Sequence, residues 1–231
     1  MASDLAYPQK SVEEIEALAD KLLQDYARHV QAPSITPPVP IEDIAEHYLG
    51  YSIELTNEGL FADPEMLGGI DFDNKVIFVN VSVEDHDGRY SFTVAHEIGH
   101  HVLHRDVFLK HRKSGHDEIL CRDTKQKPLI EMEADKFAAA LLMPSQAILE
   151  AVQALDTKPR VVTMGQARGL AAKVVKESRF DNVSNSAMMN RLIDLSIIPE
   201  HIGYQTGVYR RGRKTHSFSR LVRGLLCRLG L

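Results

Sequence analysis

The stretch SFTVAHEIGHHVLH, Ser91 to His104, decides how the rest of the chain is read. Within it, His96-Glu97-Ile98-Gly99-His100 spells His-Glu-x-x-His, and two more histidines follow at positions 101 and 104. On a helix, residues i and i+4 share a face one turn apart, so His96 and His100 can offer two imidazoles to one cation. Glu97 stands about 100° round the axis from His96, beside such a cation, where it can take a proton from a water held there. Zinc suits these donors, because it accepts imidazole nitrogen and lowers the pKa of its water toward ~7. Two ligands and a general base therefore fit in one helical turn. Gly99, inside that helix, costs about 1 kcal/mol relative to alanine. Close approach of another backbone would explain it.

A catalytic zinc keeps one position open and needs a third protein ligand. Asp106, ten residues after His96, would complete an HExxHxxGxxH/D site only with glycine at position 103, and that residue is leucine. Cys121 could ligate as a thiolate, but deformylase-type patterns place that cysteine before the His-Glu-x-x-His helix, and here it follows. The strongest source is the helical pattern IEMEADKFAAALLM, Ile130 to Met143. Glu131 and Asp135 are spaced i, i+4, so Glu131 can reach the metal while Asp135 hydrogen-bonds the far nitrogen of a ligating imidazole. Glu133 points about 200° away from Glu131 and is the alternative third ligand. The presence of Asp135 favours Glu131. Tyr90, His101, His104 and His116 are candidates to stabilise an oxyanion, although helix packing accounts equally well for His101 and His104.

Around this centre the chain reads as α+β. Ser11-Val-Glu-Glu14 is a capping box opening a helix to about His29, with Val12, Ile15, Leu18, Leu22 and Tyr26 at helical spacing. APSITPPVP, Ala32 to Pro40, ends it, and a short helix, IEDIAEHYLG, stops at Gly50. YSIEL alternates like a strand, and GGIDFDNKVIFVN, Gly68 to Asn80, reads as a hairpin turning at Asp73-Asn74. Asp87-Gly88 marks a turn before the histidine helix, and residues 106–130 read as a long connection bordering the site. Helical segments follow Gly165. Helices first, then a hairpin, then more helices indicates α+β rather than a doubly wound sheet.

Composition excludes little but sets the setting. Hydrophobic residues make up 44% and charged residues 26%, as in an ordinary globular protein. No apolar run approaches the ~20 residues of a bilayer span. MASDLAYPQKSVEEIEALADK lacks a positive segment followed by an apolar core. With only Cys121 and Cys227, no disulfide framework is indicated, so a cytoplasmic protein without a membrane partner is expected. From Tyr209 onward there are seven Lys or Arg and no acid; removing that +7 from the net −5 leaves −12 on residues 1–208. The tail is read as solvated or docked on its own acidic body.

FTVAHEIGHHVLH followed by EMEADKFAAALLMP resembles the ImmA/IrrE family of zinc metallopeptidases, whose motifs run FTxAHExGHxxLH and, about thirty residues on, ExEA(N/D)xFAxxLLMP. PPVPIEDIAEHYLGYSIEL, the hairpin ending IFVN and NVSNSAMMNRLIDLSII are similar to flanking family segments. The resemblance implies a gluzincin-like core, with a small antiparallel sheet above the active helix and one zinc per chain. The sheet edge would bind an extended peptide by strand addition. The substrate it implies is a helix-turn-helix repressor or an antitoxin of a bacterium or phage, cleaved to relieve repression under stress. Residues 1–160 would form the metallopeptidase domain, 161–208 a helical extension and 209–231 a basic tail. The alternative is a non-proteolytic regulator that binds DNA or a repressor through the C-terminal helices, SNSAMMNRLIDL among them, and the tail.

Overall fold

In the computed structural model of the chain, the described residues are 8–56, 67–84, 86–113, 129–155, 161, 163–199 and 201. The capping box forms as read. Ser11 Oγ accepts the N–H of Glu14 at 3.2 Å, and the Glu14 carboxylate accepts the N–H of Ser11 at 2.7 Å. They open helix α1 (Val12–His29), which buries Ile15, Ala19, Leu22, Leu23 and Tyr26 along one stripe. After the proline-rich break comes a short helix, α2 (Ile41–Asp43), which widens into a single π turn over Ile44–Tyr48. Gly50 follows at φ +74°, a backbone conformation that L side chains avoid.

Strands β1 (Ser52–Thr56), β2 (Gly68–Asp71) and β3 (Val76–Asn80) form a sheet in the order β1-β3-β2. The hairpin pairs β2 antiparallel to β3, with Gly68 opposite Val79 and Asp71 opposite Val76. Its turn spans residues 72–75, closed by Asp71 Oδ1 accepting the N–H groups of Asp73 and Asn74 at 2.9 and 3.0 Å. β1 pairs parallel to β3, Ser52 opposite Val76 through Thr56 opposite Asn80. The sheet is therefore mixed, and the expected antiparallel arrangement holds only for the hairpin.

The histidine helix, α3, runs from Asp87 to Lys113. Asp87-Gly88 forms its first turn instead of preceding it, and the helix continues eight residues into the stretch read as a connection. Phe108 explains the continuation: its ring packs at 5.5 Å from that of Phe72 and 6.1 Å from that of His100. Helix α4 (Leu129–Leu142) lies against α3 and α1. Ile77 and Val79 of β3, Val94 and Ile98 of α3, and Phe137 and Leu141 of α4 are fully buried and build the core beneath the site.

Gly99 sits at the α3–α4 crossing. A Cβ there would lie 3.2 Å from both the Cα and the carbonyl oxygen of Ala134, and 3.3 Å from Phe137 Cδ1. Backbone atoms in a packed helix give way poorly, so the glycine permits the contact that brings the two site helices together. Gly99→Ala gains about 1 kcal/mol of helix propensity but meets an overpacking cost of about 1–3 kcal/mol. A net loss of about 1 kcal/mol is expected, read as a lower urea midpoint in the metal-free protein. A raised midpoint would show that the crossing has room to spare.

Helices α5 (Ser145–Gln153), α6 (Met164–Glu177) and α7 (Asn185–Asp194) complete the described elements. α7 is pinned to the body by Arg191, 3% exposed. Its guanidinium pairs with Glu16 of α1, Nη2 to Oε2 at 2.8 Å, and its Nε donates to the carbonyl of Met143 at 3.0 Å. Among the described residues, no helix is long and apolar enough to cross a membrane.

Candidate metal centre

His96 and His100 project from successive turns of α3 with ring centroids 4.8 Å apart, and Glu131 reaches them from the first turn of α4. His96 Nε2 and His100 Nε2 are 3.1 Å apart; Glu131 Oε2 lies 3.3 Å from the first and Oε1 3.3 Å from the second. A tetrahedral zinc with bonds of about 2.0–2.1 Å separates its ligand atoms by about 3.3 Å. The two imidazole nitrogens, and the nearer Glu131 oxygen to each of them, are therefore spaced close to what one such cation requires, and one ligand atom from each residue lies within 4.8 Å of the others. Nitrogen, nitrogen and carboxylate oxygen also match the donors zinc accepts. Among the described residues, this is the group of His, Cys, Asp and Glu side chains whose donor atoms converge in this way.

The electrostatics tell the same story. Burial by itself would lower the pKa of His96, but its bonds to Asp135 and Glu131, with the nearby Glu97 charge, raise it to about 9. Burial would raise Glu131, yet the bonds to His100 and His96 hold its carboxyl well below the usual carboxylate range. The neighbouring carboxylates thus favour positive charge on His96. Positive charge is favoured at this point whatever carries it.

The flanking residues take up distinct positions. Asp135 Oδ1 is 3.0 Å from His96 Nδ1, leaving Nε2 of that ring toward Glu131. Glu133, two residues from Glu131, turns to the other side of α4 and meets His104 Nε2 at 3.3 Å. Glu97 is buried beside the sheet: a Cβ on Gly68 of β2 would fall 3.0 Å from Glu97 Oε1 and 2.4 Å from Thr93 Cγ2. Edge strand β2 thus lies directly against the residue proposed as base, at a place where only glycine fits without displacement. Sequence reading missed Gly68; the paired Gly68-Gly69 opening a strand was its only signal.

The oxyanion candidates have other engagements. The Tyr90 hydroxyl is raised by burial and by its bond to Glu42. His101 Nδ1 is 2.8 Å from the Tyr51 hydroxyl, and burial, with Lys75 and Arg105 nearby, lowers it to about 4. His104 is lowered to about 4 chiefly by burial and by its neighbour His100. Asp106 is carried about 15 Å along the α3 axis from His96, where it lines a separate cleft with Arg105 and Leu18. Cys121 and His116 lie outside the described residues.

A small sheet over a helix bearing His-Glu-x-x-His, with a carboxylate supplied by the next helix, is the frame of a metallopeptidase. The family model Peptidase_M78, the IrrE N-terminal-like domain, matches residues 52–175. That span covers more than half of the chain, and the chain belongs to this family. Membership implies a zinc metallopeptidase-type function with protein as substrate. A search of curated proteins finds no match.

Proposed function

We propose that the chain is a zinc-dependent endopeptidase that cleaves one regulatory protein, a transcriptional repressor or an antitoxin, and so relieves repression. His96, His100 and Glu131 would hold the zinc, Asp135 would orient His96, and Glu97 would be the general base. The observation that carries this reading is the convergence of three side chains: the two imidazole Nε2 atoms 3.1 Å apart, with one Glu131 oxygen 3.3 Å from each. When bound there, zinc would act as a Lewis acid on a peptide carbonyl and bring the pKa of a water toward ~7. Glu97 takes the proton of the attacking water and returns it to the leaving amine nitrogen. Its burial keeps bulk water from competing for that proton. Asp135 holds the Nδ1 proton of His96, so the ring keeps Nε2 as a donor. A peptide added to the outer edge of β2, unpaired among the described strands, would pass beside Gly68, and hence beside Glu97.

The choice of a repressor or antitoxin rests on the resemblance of the two long motifs. The alternative, a DNA-binding regulator, finds little support in α7: its one basic residue, Arg191, is buried against Glu16 and Met143, so that helix offers no exposed base to phosphate; the basic tail, 209–231, lies outside the described residues. The purified protein is expected to carry close to one zinc per chain. It should cut a helix-turn-helix repressor encoded beside it into two fragments, read by intact-mass spectrometry, and a chelator should stop the cut. A zinc-loaded chain that leaves that repressor whole while shifting DNA would favour the regulator instead.

A further inference from the structure

His104 is 1% exposed and Glu133 2%, so both are polar groups that must be satisfied inside the protein. They form a line of contacts ending at the metal centre. The N–H of Lys10 donates to Glu133 Oε1 at 2.8 Å; Glu133 Oε2 is 3.3 Å from His104 Nε2; His104 Nδ1 is 3.1 Å from His100 Nδ1. The carboxylate end sets every proton on this line. An ionised carboxylate only accepts, so His104 carries its hydrogen on Nε2. A neutral ring protonated there has a lone pair at Nδ1, and the hydrogen between the two rings must belong to His100 Nδ1. A neutral His100 then has its lone pair on Nε2, the atom that faces His96 and Glu131 and that a cation would take.

We propose that Glu133, His104 and the backbone N–H of Lys10 form a positioning relay that holds His100 in its Nδ1–H tautomer, making the segment that enters α1 a determinant of metal affinity. The relay rests on the reading of His100 as a ligand. An apolar pair at 104 and 133 would fill the same space without desolvating a charge, but it could not assign the proton. Lys10 also ties the line to α3, its Nζ donating to the carbonyl of Leu103 at 3.3 Å. Each of the two imidazoles thus has its own carboxylate: Asp135 directly for His96, Glu133 through His104 for His100.

The test combines ring-nitrogen NMR of the full chain with zinc affinity from chelator competition. In the spectra, His104 should carry its hydrogen on Nε2 and His100 on Nδ1, with or without zinc. His104→Phe fills the volume but bonds nothing, and should weaken zinc by about 10–100-fold. Glu133→Gln, whose amide oxygen still accepts from His104, should weaken it less than Glu133→Leu. Lys10→Pro removes the N–H and should weaken zinc, whereas Lys10→Ala keeps it and should weaken zinc less. Melting of each metal-free variant separates a lost fold from a lost relay. A His104 ring protonated on Nδ1, or a folded His104→Phe variant with unaltered zinc affinity, overturns the proposal. A wild-type chain that takes no zinc would sink the peptidase reading instead, and the spectra would still decide the relay.

Discussion

Glu97→Gln is expected to keep its zinc and lose cleavage, with kcat falling by roughly 10²–10⁴-fold, the usual contribution of a positioned acid–base group. The amide has the shape of the carboxylate, so it can sit in the same space against Thr93 and the backbone of Gly68, and the fold should be indifferent to the exchange. The donor set of His96, His100 and Glu131 is untouched, so zinc content should hold. What disappears is the ability to accept a proton at neutral pH. KM should move little, because the lost interaction is one made as the proton is transferred and not on binding. Single-turnover cleavage of the repressor substrate, with metal analysis of the same preparation, is the measurement. Wild-type kcat in a zinc-loaded Glu97→Gln variant would remove Glu97 from the chemistry.

Much of this arrangement could be read before any coordinates, and the reason is that it is local. Two histidines four apart, a serine three before a glutamate, and a glycine in a helix interior each report on one turn of backbone. Gly99 shows how far that reach extends. Its cost in the helix pointed to a close approach, and the structure supplies the partner, Ala134 of α4. What stayed hidden depends on residues far apart in sequence. Alternation in YSIEL identifies a strand but not its neighbour, so the parallel pairing of β1 with β3 could not be seen. The run after His104 looked like a loop because its aromatic anchor, Phe108, meets Phe72 in the distant hairpin turn. The role of Glu133 was the hardest to see: its partner Lys10 is 123 residues away. His104, at i+4 from His100, did carry a signal, the same spacing that linked His96 to His100.

Glu131→Ala is expected to weaken zinc by roughly 10²–10³-fold. Structural zinc sites with four ligands bind with about 10–16 kcal/mol, or ~2.5–4 kcal/mol per ligand. A water entering the vacated position would recover part of that. The competition between Glu131 and Glu133 makes the experiment decisive. Both are acids on the same turn of α4, both lie close to histidines of α3, and both substitutions remove one negative charge near the centre. Generic electrostatics would therefore predict similar losses. Direct ligation by Glu131 and indirect support by Glu133 predict a clear order instead, with Glu131→Ala the weaker binder by about tenfold or more relative to Glu133→Gln, given the ~10–100-fold usual for outer partners of a ligand. Glu131→Gln should fall between wild type and alanine, since its amide oxygen can still face the cation but without charge. Chelator competition on folded variants reads all three. The opposite order, Glu133→Ala losing zinc while Glu131→Ala retains it, would transfer the third ligand to Glu133. It would also break the relay, because a carboxylate bound to the metal could not at the same time orient His104.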